Sequence, residues 1–115
     1  MRTAFLIPLS FIGTAATAAP TYLACSVTDS SKTFAVEVTA DESQQRATVV
    51  LPDTGRVVTR KALFAPDRVE ILDDESTWVI DRITLDFHRI VVIGDDRSDN
   101  PGKCALKAAP AKRAF

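Results

Sequence analysis

From Pro20 onward, short runs of alternating apolar and polar residues recur about every ten residues, and no stretch keeps a helical apolar period. A period of two places successive side chains on opposite faces of a strand, so this pattern restricts the chain to a β fold. Strands are expected at 22–28 and at 33–40, where Phe34, Val36 and Val38 oppose Thr33, Glu37 and Thr39. The polar cluster 41–45 turns the chain into a third strand at 46–51. Pro52-Asp53-Thr54-Gly55 is a turn, with φ set by Pro, a side-chain acceptor from Asp and a Gly free to take positive φ. Further strands follow at 56–65, stopped by Pro66-Asp67, and at 68–72, with Val69 and Ile71 on one face. The acidic loop 73–76 then leads to a strand at 77–81.

Two irregularities break the alternation. Trp78 and Ile80 point inward on even numbers, whereas Ile83, Leu85 and Phe87 are expected inward on odd ones, so a bulge or turn must lie at Asp81-Arg82. Beyond His88-Arg89 the run 90–93 is continuously apolar, which predicts burial on both faces or a place at a barrel seam. The Asp-rich segment 94–102 reads as a loop, and 103–107 as the closing strand. Seven or eight short strands with tight connections predict an all-β fold, a small antiparallel barrel or sandwich.

The first residues carry a different signal. Arg2 is followed by an apolar stretch through Leu6, Ile7, Leu9, Phe11 and Ile12 and then by small residues to Ala19, the order of an export signal. Ala16-Thr17-Ala18 supplies a cleavage pattern, with the cut after Ala18 or Ala19. The stretch is broken by Pro8 and falls short of the roughly 20 residues that span a bilayer. The division expected is a signal peptide at 1–19, a β-domain at 20–107 and a flexible tail at 108–115. An exported chain matures in an oxidising compartment, where its two cysteines, Cys25 and Cys104, are expected to form a disulfide joining the first strand to the last.

Charge narrows the partners. The chain has 14 Lys and Arg against 15 Asp and Glu, interleaved along its length. Nucleic acids and anionic membrane surfaces attract clustered basic residues, so neither is expected as a partner, and no membrane span is expected.

Cys25, Ile80-Asp81-Arg82-Ile83-Thr84 and Gly102-Lys103-Cys104 together resemble the layout of a group of small exported bacterial proteins of unassigned function. That group has a Cys just after the leader, an aromatic-x-Ile-Asp/Asn-Arg-x-Thr/Ser stretch past the middle, and Gly-x-Cys shortly before a terminal Phe, here Phe115. Many members have Gly after the Thr, where this chain has Leu85. The resemblance implies fold and compartment and brings no activity with it.

Few residue clusters suggest chemistry. Asp81 and Arg82 are read as an ion pair, either structural, pinning the switch of burial face, or facing a ligand at a barrel mouth. His88 is the one histidine, and with Asp81 or Asp86 it gives the only hydrolase reading the chain offers. No G-x-S-x-G elbow supports that reading. Asp95, Asp96 and Asp99 with Ser98 and Asn100 supply oxygen donors, but Arg97 stands at the third position of a calcium loop and no late Glu follows. Asp73-Asp74-Glu75 reads as a polar hairpin end. Tyr22-Leu23-Ala24-Cys25 resembles a lipidation box, although Tyr22 replaces the usual aliphatic residue and lipidation would leave Cys104 unpaired. Phe115 resembles the terminal aromatic of outer-membrane barrels, yet the expected strands are shorter than those barrels need and carry charge.

No cofactor and no metal are therefore expected. The function expected is non-enzymatic, a binding or structural role in the cell envelope toward an envelope protein or a small ligand, by a monomer in the periplasm or outside the cell. Inhibition of a wall-degrading hydrolase such as lysozyme is the alternative.

Overall fold

The computed structural model describes residues 19–110. The leader up to residue 18 and the last five residues, with Phe115, lie outside the described residues. Eight strands run in chain order: β1 Thr21–Asp29, β2 Lys32–Asp41, β3 Arg46–Leu51, β4 Arg56–Phe64, β5 Arg68–Leu72, β6 Ser76–Asp81, β7 Asp86–Ile93 and β8 Asp96–Lys107. Each pairs antiparallel with the next, and β8 returns to β1, so the meander closes into a barrel.

The turns follow from local chemistry. Asp41 caps a short 3-10 turn over Glu42–Gln44, its carboxylate accepting from Gln44 N–H and Ser43 Oγ, and Gln45 leaves that turn at φ 53°. Thr54 and Gly55 donate their N–H groups to the Leu51 carbonyl, with Gly55 at φ 75°. At the β6–β7 connection the Asp81 carboxylate accepts from the Ile83 and Thr84 N–H groups at 2.8 Å each. This is the point where the burial face switches. It is a turn between two strands, and Leu85 completes it at φ 66°, a conformation more natural to glycine.

The inward positions form one core. Val27, Val36, Val38, Val49, Ile71, Ile80 and Phe87 are almost fully buried, and Trp78 packs its ring 5.5 Å from that of Phe87. Outward positions carry hydroxyls and charges, including cross-strand Thr28···Thr33 and Thr48···Thr59 hydrogen bonds of 3.1 Å. Apolar inside and polar outside is the reverse of a lipid-spanning barrel. Strand length does not make that distinction, because β1, β2 and β8 run 9, 10 and 12 residues, longer than their sequence suggests.

Three sequence expectations are corrected. Ile83 is exposed, because the Asp81 carboxylate folds 82–84 into the turn and throws its side chain outward. The segment 94–102 is not a loop: only Gly94 and Asp95 turn, and Asp96 begins β8, paired with Ile93. Pro101 is tolerated there because the β1–β8 ladder stops at Val27↔Gly102, which leaves β8 without a partner on one side from Asp96 to Pro101. For the same reason the run 90–93 is not buried on both faces. It belongs to a hairpin that extends past β1, and Val92 and Ile93 are 50% and 58% exposed.

The seam between β1 and β8 is held covalently. Cys25 and Cys104 face each other in register and form the disulfide. Gly102 lies against β1 so closely that a Cβ there would fall on the Ser26 carbonyl.

Candidate functional site

Strand directions place the start of β1, the end of β2, the β4–β5 loop, the β6–β7 turn and the end of β8 at one end of the barrel, here called the lower end. A cavity of about 430 Å³ opens there. Leu23, Ala40, Phe64, Val69, Ile80 and Leu85 form its apolar wall, and Leu106 and Ile83 stand at its lip, exposed. Ala40 contributes only a methyl group to this lining, and Arg82 and Ile83 of the β6–β7 turn border the opening.

Arg82 is the polar feature of the rim. Its Nη1 donates to the Ala65 carbonyl at 2.8 Å, its Nη2 pairs with Glu42 Oε1 at 3.0 Å, and its Cζ lies 5.9 Å from the centre of the Phe64 ring. One guanidinium thereby ties together the β6–β7 turn, the β4–β5 loop and the β2–β3 turn. The Arg82 N–H also donates to the Asp67 carbonyl. Asp81, expected as its ionic partner, is instead committed to the turn. Hydrogen bonds from the Thr84 and Ile83 N–H groups hold the Asp81 carboxyl below the usual carboxylate range. Asp81 and Arg82 are neighbours in sequence with separate tasks, one building the turn and the other spanning the mouth.

The remaining candidates lie elsewhere. His88 projects from the outer wall, with Nδ1 2.9 Å from Asp99 Oδ1. Asp86 is bound to Lys103 Nζ at 2.7 Å and to the Thr84 hydroxyl at 3.0 Å, and these contacts hold its carboxyl below its ordinary value. The structure thus partners His88 with Asp99, not with Asp81 or Asp86. Asp96 and Asp99 alternate faces along β8, so the oxygens of that segment diverge, and no group of three His, Cys, Asp or Glu converges among the described residues. Asp73 turns inward to accept from Arg60 Nε at 2.8 Å. Burial by itself pushes the Asp73 carboxyl up, but hydrogen bonds from Arg60 and the Asp74 N–H, with the charges of Arg60 and Arg56, outweigh it and leave the carboxyl low. Cys25 is bonded to Cys104.

Sequence reading singled out Arg82 but not the cavity it spans. The apolar wall reads in sequence as ordinary core, and only the closure of the barrel brings these side chains around one opening. A second depression, of about 390 Å³, is lined by Gln44, Gln45, Arg46, Thr59, Arg60 and Lys61. Its lining is more polar than that of the lower mouth, which is therefore the better seat for an apolar ligand. No family model matches the chain, and no curated protein and no solved structure shows significant similarity to it.

Proposed function

We propose that this protein is an exported, non-enzymatic binding domain of the bacterial cell envelope that seats a small apolar or amphipathic molecule in the lower mouth of its barrel. The observation that carries this reading is the cavity itself. Its volume of about 430 Å³ lies in the range of small-molecule sites, and it combines an apolar wall with one charged pair at the rim. An apolar body would replace water against Leu23, Phe64 and Ile80, and a polar end would meet Arg82 and Glu42. The lining holds one hydroxyl, on Thr21, and one carboxylate, on Glu42, which Arg82 already engages. Binding asks nothing more of these groups, whereas covalent catalysis asks for an activated nucleophile. Export is supported by the leader's order of charge, apolar run and small residues, and by a disulfide of the kind that persists in oxidising compartments.

The test is fluorescence titration of the purified protein with N-phenylnaphthylamine, a neutral probe that brightens in apolar sites. The expected result is saturable brightening, lost in Ala40→Phe, which fills the cavity, and weakened in Leu106→Glu, which charges its exposed lip. No saturable brightening, or brightening that survives both variants, would remove this reading. Loss of lysozyme activity in the presence of the protein, with no probe binding, would favour hydrolase inhibition instead.

A further inference from the structure

Arg46 and Lys61 stand directly opposite one another in the β3–β4 ladder, and both are exposed on the outer wall, their neighbours Ala47 and Ala62 being buried. Charged residues that face each other elsewhere in the barrel carry opposite signs, as in Asp29 with Lys32, Asp41 with Arg46, Arg68 with Asp81 and Asp86 with Lys103. Among the described residues, Arg46 with Lys61 is the directly opposed pair of like sign. Directly opposite side chains start from Cβ atoms about 5 Å apart, and like charges at that spacing destabilise a sheet. An anion between them would turn that repulsion into two attractions.

The nearby carboxylates do not serve this pair. Neither Arg46 nor Lys61 forms an ion pair among the described residues. Asp41 is the ladder neighbour of Arg46 on its other side, but its Oδ1 accepts from Ser43 Oγ at 2.7 Å and from the Gln44 N–H, which commits the carboxylate to the turn. Glu42 is taken by Arg82, and Asp73 by Arg60.

The two cations border the polar hollow of about 390 Å³, beside the exposed Gln44, Gln45 and Thr59. Its lining shares no residue with the lower mouth. We propose that this hollow binds a soluble sugar phosphate, with the phosphate held between Arg46 and Lys61. A phosphate monoester carries about two negative charges at pH 7, which two unpaired cations match, whereas a carboxylate supplies one. Arg offers a fork to two phosphate oxygens, and Lys a point charge to a third. The hollow is larger than a phosphate group, and the Gln44 and Gln45 amides and the Thr59 hydroxyl can both donate to and accept from the hydroxyls of an attached sugar.

The experiment is an NMR titration of the purified protein with glucose 6-phosphate, glucuronate and inorganic phosphate in turn, at ionic strength fixed by chloride. Glucose 6-phosphate is expected to shift the Thr59, Arg46 and Lys61 backbone amides saturably, and to bind more tightly than either other anion. Arg46→Gln and Lys61→Gln should each weaken that binding at least about tenfold, and Arg97→Gln, an exposed arginine outside the hollow, should leave it unchanged, each variant first shown to be folded by circular dichroism. Glucuronate binding as tightly would overturn the assignment to a doubly charged group, and inorganic phosphate binding as tightly would overturn the assignment to a sugar ester. Vesicles containing phosphatidic acid present the same group on a lipid, and cosedimentation with them that glucose 6-phosphate does not displace would overturn a soluble ligand. No saturable response to glucose 6-phosphate up to about 10 mM, or full affinity in both glutamine variants, would overturn the site.

Discussion

Cys25 and Cys104 stand directly opposite one another in the ladder that joins the first strand to the last, with their Cα atoms 3.9 Å apart although the two residues are 79 positions apart in the sequence. Every other strand pair in the barrel is joined by a short connection, so this is the one ladder that the chain must find across nearly its whole described length. Closing a loop of that size in the unfolded chain contributes about 4 kcal/mol in the chain-entropy model. The double variant Cys25→Ala, Cys104→Ala should lose about that much in urea unfolding. Equal stability of the oxidised and reduced protein would show that the seam does not need the bond.

The same seam depends on Gly102. A methyl group there would meet the Ser26 carbonyl, and its next nearest neighbours would be the Ser26 carbonyl carbon and Val27 Cα at 3.2 Å. Backbone cannot step aside as a flexible side chain can. Gly102→Ala should therefore cost about 1–3 kcal/mol, the range of overpacking in a well-packed region. Gly55→Ala meets no atom within 4 Å and should cost only the strain of its φ of 75°, about 1 kcal/mol. Thermal unfolding of the two variants side by side checks the difference, and equal losses would contradict the close approach of β8 to β1.

Ile83 lies in the β6–β7 turn, and Phe87 follows it in β7. Phe87 is fully buried, and Ile83 is 79% exposed. Phe87→Ala should lose about 3–5 kcal/mol, whereas Ile83→Ala should change stability by less than about 0.5 kcal/mol. A large loss at Ile83 would restore the inward placement that its alternation suggests and overturn the turn built on Asp81.

Much of the barrel was legible because its inward and outward faces differ in chemistry. The bounds of β3 and β5, and the turn at Pro52–Gly55, follow directly from alternation and turn residues. Alternation fails where a strand has no core to face. The upper part of β8 is Asp96-Arg97-Ser98-Asp99-Asn100-Pro101, a composition of loops, and it is a strand only because β7 supplies a ladder in a hairpin that outruns the barrel. Ile83 misleads for a different reason: hydrophobicity alone cannot show that the Asp81 carboxylate takes two backbone amides and folds the next three residues into a turn. Arg82 stands out by its charge beside Asp81, but its partners come from residues 40 and 17 positions away, which only the closed barrel brings together.

Acid should weaken the fold through Asp73, Asp81 and Asp86. All three carboxyls are held below the ordinary value of 3.8 in the folded protein. In the unfolded chain they titrate near about 4, so between that value and the lower folded values the unfolded state binds more protons. Their contribution is complete above that range and is lost as pH falls through the folded values. Urea midpoints measured downward from pH 5 should fall, and Asp81→Asn and Asp86→Asn should each flatten the decline. A midpoint independent of pH in this range would contradict the hydrogen bonds assigned to these carboxylates.

The most direct measurement is an NMR map of the side-chain methyl groups with and without N-phenylnaphthylamine. Shifts are expected among Leu23, Val69, Ile80, Ile83, Leu85 and Leu106, which line the lower mouth, with Val49 and Val36 unmoved. Shifts scattered over the outer wall, or none at the mouth, would contradict a binding seat there.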